Sequence, residues 1–173
     1  YNELKKITFK IDTGKMPYQN GYAGAIAPPA SQDRTLAESI PLRILVVEDN
    51  ELNRMVAEQF LRRFGYDAVF AENGEAAVQA VMTKEFDFVF MDIHMPVMDG
   101  MTAARRIRQM LPQEHQPVIV AMTANVMKGD AEKYLEAGMD DVIGKPVSRS
   151  EIERVIRLFS RETDLSGVVD NVK

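Results

Sequence analysis

Five short apolar runs, each followed by an amphipathic stretch, lie between Leu42 and Phe159 and constrain this chain more than any other feature. The runs are LRILVV (42–47), DAVFA (67–71), FDFVFM (86–91), PVIVAM (117–122) and DVI (141–143). Rich in β-branched and aromatic residues, they suit strands buried on both faces. Between them, apolar residues recur at helical spacing. Leu52, Met55, Val56 and Phe60 mark a first helix, and the two Ala-Val pairs of GEAAVQAVM a second. Ile107, Met110 and Leu111 mark a third, Val126, Tyr134 and Leu135 a fourth, and Ile152, Val155, Ile156 and Phe159 a fifth. Each set predicts a core-facing stripe, and Gly65, Pro112 and Gly138 supply stops. Such alternation gives a parallel α/β sheet covered on both faces. Right-handed crossovers and short connections leave few ways to wind five such units, and a doubly wound sheet is the commonest.

The flanks differ. KKITFKID (5–12) is compatible with one strand, whereas GKMPYQNGYAGAIAPPASQD (14–33) has the Gly, Pro and Ala content of a linker. The expected organisation is a linker or remnant of a preceding domain over 1–40, one domain over 41–160, and a C-terminal tail or linker over 161–173. A start at Tyr1 reads as a piece of something longer. Net charge is −5, which does not favour nucleic acid as a partner. Cysteine is absent, which excludes thiolate chemistry. No apolar run approaches the ~18 residues of a membrane span. A cytoplasmic location is expected for this chain, with the parent protein anchored in the inner membrane as one option.

In a doubly wound sheet, ligands sit beyond the carboxyl ends of the strands. The residues there are Glu48 and Asp49 after the first strand, Asp92 after the third, Thr123 after the fourth and Lys145 after the fifth. Carboxylates converging in this way repel, by about 4 kcal/mol for unit charges ~4 Å apart at an effective dielectric of 20. A hard divalent cation such as Mg²⁺ relieves that, since it prefers oxygen ligands and uses one or two carboxylates. With Lys145 for a second anion and a Thr hydroxyl, the set has the parts for phosphoryl transfer. A carboxylate can be the nucleophile there, giving an aspartyl-phosphate.

At VVEDN, MDIHMPVMDG, AMTAN and the GKP of 144–146, the sequence resembles the receiver domain of two-component signalling proteins, over about residues 42–160. The resemblance implies a flavodoxin-like (βα)5 fold with strand order 2-1-3-4-5. It also implies that Asp92 takes a phosphoryl group from phosphohistidine, with Asp49, Asp92 and the His94 carbonyl holding Mg²⁺. Glu48 would act mainly through a coordinated water. Lys145 would pair with Asp92 and then with the phosphoryl oxygens, across a cis Lys145-Pro146 bond, and Thr123 and the Ala124 N–H would bind those oxygens. One departure stands out: the family's switch usually carries Tyr or Phe at the position of Val142, which has neither ring nor hydroxyl.

The 13 residues after Ser160 leave no room for an effector domain, and the flank before Pro41 suggests an upstream domain, so the receiver of a hybrid sensor histidine kinase is expected. Its partners would be a kinase phosphohistidine domain and a histidine phosphotransfer domain, with a weak homodimer allowed. A stand-alone response regulator is the alternative. No kinase catalytic domain is legible, so catalysis is confined to the receiver's own phosphorylation and dephosphorylation. A haloacid-dehalogenase-type Mg²⁺ phosphatase would want a second Asp where His94 stands. A flavodoxin would want Ser, Thr and Gly after the first strand, and a degenerate interaction module would not need Asp49, Asp92, Thr123 and Lys145 together. Taken singly, Asn50 and Thr123 would read as caps and Lys145 as a solvated side chain. Neither His94 nor His115 has partners at metal spacing.

Overall fold

The computed structural model describes residues 34–125 and 128–166, and the side chains of 131–160 in the latter stretch. In chain order the elements are α1 (Leu36–Ser39), β1 (Ile44–Val47), α2 (Glu51–Arg63), β2 (Val69–Ala71), α3 (Gly74–Thr83), β3 (Phe88–Asp92), α4 (Gly100–Met110), a 3-10 turn (Gln113–His115), β4 (Val118–Thr123), α5 (Lys128–Glu136), β5 (Asp141–Gly144) and α6 (Arg149–Ser166). The five strands form one sheet in the order β2-β1-β3-β4-β5, parallel throughout. This is the doubly wound order expected from the sequence. The strand reading of KKITFKID, the tail over 167–173 and the Val126 position of the fourth helix lie outside the described residues.

Period-2 alternation on the central strands sends side chains into two separate cores. Leu45, Val47, Val89, Met91, Ile119 and Ala121 pack on one face with residues of α3, α4 and α5. Ile44, Val46, Phe88, Phe90, Val120 and Met122 pack on the other with α1, α2 and α6. Helix starts are set by side chains: Asn50 accepts from Asn53 N–H at 3.2 Å, Asn73 from Ala76 N–H at 2.9 Å and Asp99 from Thr102 N–H at 2.8 Å. Caps of this kind are worth about 1 kcal/mol each. Two of the predicted stops are visible as left-handed glycines, Gly65 at φ +90° and Gly138 at φ +89°.

Five details correct the sequence reading. Leu52 and Met55 are exposed, and the inner line of α2 runs through Ala57 and Leu61. At 100° per residue those two side chains point about 140° and 160° away from Ala57, so one helix cannot bury both sets. Met110 and Leu135 are likewise exposed, because Ile107 on α4 and Tyr134 on α5 already take the inward positions. The first three strands begin two residues later than expected, and the N–H of Arg43 goes to Asp87 Oδ2 at 2.7 Å instead of to a neighbouring strand. Asp92 and Thr123 are themselves the last residues of β3 and β4. Finally, α1 lies inside the stretch read as linker: Thr35 and Glu38 form a capping box, Leu36 is buried, and Ala37 N–H reaches Phe64 O at 2.9 Å.

Candidate phosphoryl site at the sheet edge

Parallel strands of matched register deliver their last residues to one edge, and the predicted site residues are found there. Glu48 and Asp49 follow β1, Asp92 ends the neighbouring β3, Thr123 ends β4, and Gly144 of β5 leads into Lys145. Carboxylate oxygens of Glu48, Asp49 and Asp92 lie within 4.8 Å of one another. Glu48 and Asp92 are buried, at 2% and 4% exposure, while Asp49 is exposed.

Lys145 bridges two of these three carboxylates. Its ammonium nitrogen is 2.7 Å from Asp92 Oδ2 and 2.5 Å from Glu48 Oε2. The other Asp92 oxygen accepts the His94 backbone N–H at 3.1 Å. The other Glu48 oxygen accepts Asn53 Nδ2–H at 2.9 Å and, more weakly, the Asn50 N–H at 3.4 Å. Asp49 takes no hydrogen bond or ion pair among the described residues, so its lone pairs face solvent. The Lys145-Pro146 peptide is cis. His94 presents its N–H to Asp92 while the residue itself is exposed, and Ala124 is exposed just past the β4 end.

The acidic cluster suits a hard cation on chemical grounds. Of three clustered carboxylates the ammonium pairs with two, every donor is oxygen, and the exposed Asp49 is left without a partner among the described residues. Such a donor set fits Mg²⁺ better than a soft metal, which would want thiolate or imidazole.

Below the pocket, Gly100 lets α4 begin against the end of β3. Its N–H donates to Ile93 O at 3.1 Å, and a Cβ there would lie 2.1 Å from Asp92 O. Next to it, Asp99 caps α4 through both its oxygens, with Thr102 N–H and Thr102 Oγ1 each at 2.8 Å. Burial pushes the Asp99 carboxyl upward, and the bonds from Thr102 outweigh it, so this group titrates below the usual carboxylate range.

Sequence reasoning missed three residues of this region. Asn53 orients Glu48, Gly100 admits α4, and Tyr134 places its phenol 3.2 Å from Thr123 Oγ1. Spacing alone marks Tyr134 as core packing, yet a Tyr at an inward helical position signals a polar end in need of a partner.

Comparison with known proteins agrees with this geometry. Residues 44–157 match the family model described as "Response regulator receiver domain". Over 118 residues the chain is 42% identical to the aerobic respiration control sensor protein ArcB of Escherichia coli K12, a match that takes in 68% of this chain and 15% of ArcB. The chain thus spans only a small part of the curated relatives it matches. Among solved structures, the receiver domain of a sensor histidine kinase from Pseudomonas aeruginosa is 39% identical, with a TM-score of 0.62 over 69% of this chain and 97% of that one. That crystal structure has a magnesium ion coordinated in its active site cleft. A Saccharomyces cerevisiae receiver domain, crystallised with the histidine phosphotransfer protein Ypd1, is 28% identical at a TM-score of 0.66, covering 75% of this chain and 94% of that one. From residues 44 to 157, then, this chain belongs to the response regulator receiver domain family of two-component signalling.

Proposed function

We propose that Asp92 accepts a phosphoryl group from a phosphohistidine and that this receiver works in a phosphorelay as part of a hybrid sensor histidine kinase. The observation that carries the reading is the pairing of a 4% exposed Asp92 with Lys145 at 2.7 Å, beside two further carboxylates within 4.8 Å. A buried acid so arranged has a nucleophilic oxygen and a cation ready for the charge that arrives with phosphorus.

In the transfer, an Asp92 oxygen attacks phosphorus, the N–P bond of phosphohistidine breaks, and imidazole leaves with the bonding pair. Lys145 turns from the carboxylate toward the phosphoryl oxygens, and the Thr123 hydroxyl and Ala124 N–H donate to them. Asp49, Asp92 and the His94 carbonyl would hold Mg²⁺, with Glu48 acting through water. The ion supplies positive charge that offsets the carboxylates and the incoming phosphoryl oxygens. Release of the phosphoryl group to a histidine phosphotransfer domain is the same displacement run toward a nitrogen nucleophile, and attack by water ends it as phosphate.

The relatives support the hybrid-kinase context, since ArcB and the Pseudomonas aeruginosa protein are both sensor proteins. The Ypd1 complex supports a phosphotransfer-domain partner. We assign the receiver to residues 41–160 together with α1, which packs in its core, with the rest of 1–40 as a linker or remnant of a preceding domain and 161–173 as a C-terminal tail or linker. Among the described residues no helix is long and apolar enough to cross a membrane. The phosphatase alternative gains nothing, because the position where it needs a general acid is His94, an exposed side chain.

The test is labelling by acetyl phosphate with Mg²⁺ present, followed by mass. The wild-type chain should gain one phosphoryl group and Asp92→Asn none. Equal labelling of the variant would overturn the assignment.

A further inference from the structure

Thr123 ends β4 on the face of the sheet that carries Ile119 and Ala121, and it is 1% exposed. Its hydroxyl lies 3.2 Å from the phenol oxygen of Tyr134, which α5 buries to 6% exposure. Thr123 Oγ1 also accepts the Asn125 N–H at 3.2 Å and sits 3.4 Å from the Asn125 carbonyl oxygen. Thr123 is the one hydrogen-bond partner of Tyr134's phenol among the described residues. Either hydroxyl can donate in this contact; with the Thr123 proton directed at the Asn125 carbonyl, the phenol is the donor. With the Asn125 N–H as second donor, both lone pairs of the Thr123 oxygen are engaged.

So placed, Thr123 makes no hydrogen bond to Asp92 or Lys145 among the described contacts. Val142, on β5, carries neither a ring nor a hydroxyl that could report a movement of Thr123. Tyr134 stands in the same apolar cluster that Val142 packs against, and it enters from the helix instead of the strand.

We propose that Tyr134 is a positioning residue that restrains Thr123 in its resting place, and that breaking the Tyr134–Thr123 bond carries the phosphorylation signal into α5. The proposal rests on the reading of Asp92 as phosphoacceptor. Thr123 has to leave the phenol to bind phosphoryl oxygens, and the abandoned phenol, still buried, has to find a new partner. That requirement displaces α5. In this chain the helix therefore takes the switching role that a strand aromatic would otherwise fill.

The test is a titration with beryllofluoride, a phosphoryl mimic, in saturating Mg²⁺, read by backbone amide signals of the 173-residue chain. Tyr134→Phe keeps the ring and removes only the restraint, so it should bind the mimic about fivefold more tightly than wild type, as loss of one net hydrogen bond implies. The gain should vanish in a Thr123→Ala background, and ¹³Cζ-labelled tyrosine should show the Tyr134 phenol changing partner on binding. Unchanged or weaker binding by Tyr134→Phe, with wild type still taking the mimic, would overturn the inference and leave the Asp92 reading standing. A wild-type chain that binds Mg²⁺ but never the mimic would overturn both.

Discussion

Lys145 Nζ lies 2.7 Å from Asp92 Oδ2, so a buried carboxylate at the end of β3 is held by a cation. The same nitrogen reaches Glu48, which makes one ammonium responsible for two buried acids. Removing one partner of such a pair leaves charge without compensation, a loss of about 3 kcal/mol or more.

Lys145→Ala should therefore be strongly destabilised in EDTA and regain much of that loss in millimolar Mg²⁺, as followed by urea unfolding under the two conditions. Mg²⁺ affinity should hold or rise, since a competing cation is gone, while labelling by acetyl phosphate slows. A variant that loses Mg²⁺ binding would show that Lys145 builds the metal site instead of serving the phosphoryl group.

Gly100→Ala should cost about 1–3 kcal/mol, the range for overpacking. The intruding methyl meets backbone, the Asp92 carbonyl at 2.1 Å, and that atom has no rotamer by which to retreat. Because the strain falls on Asp92, phosphorylation should suffer beyond the fraction unfolded, a comparison that needs only labelling rates alongside a thermal melt.

Asp99→Ala should remove about 1 kcal/mol at neutral pH, the worth of an N-cap. The folded-state carboxyl of Asp99 titrates below its unfolded value, so its contribution is present above the ordinary carboxylate range. It fades as pH falls through the lower folded value. Wild type and variant should accordingly converge in stability at acid pH, a trend that urea midpoints at neutral and acid pH would display.

Arg108→Lys should weaken the joint between α4, the start of β4 and the turn before β5. The guanidinium donates to Gly138 O at 2.7 Å, Pro117 O at 2.8 Å and Asp140 Oδ2 at 2.6 Å, and a Lys has no fork with which to span the three. A loss of roughly 2 kcal/mol is expected, with Mg²⁺ affinity unaltered by titration.

The fold was legible because the strands announce themselves: runs such as FDFVFM offer no helical period, and each stops where chemistry begins. Asp92, Asp49 and Lys145 were legible as charges at apolar strand ends, where a core would not tolerate them without a purpose. What the residues did not disclose is rotational phase. Leu52 and Met55 advertise a stripe, but small Ala57 with Leu61 wins the inner face, because close approach of the helix to the sheet rewards a small side chain. Nor does sequence show which polar tips meet across the fold. Asn53 to Glu48 spans five residues and Tyr134 to Thr123 spans eleven, and both depend on where the turns aim.

An all-parallel sheet also divides labour between its two rims. Acids and Lys145 occupy the carboxyl rim, whereas Arg43 with Asp87, half-open to water, and the more sheltered Arg108 with Asp140 clasp the amino rim. Added salt screens the open Arg43 clasp more than the sunken Lys145 pair. Rising ionic strength should therefore loosen the Arg43 corner of the amino rim before it loosens the Lys145 pair.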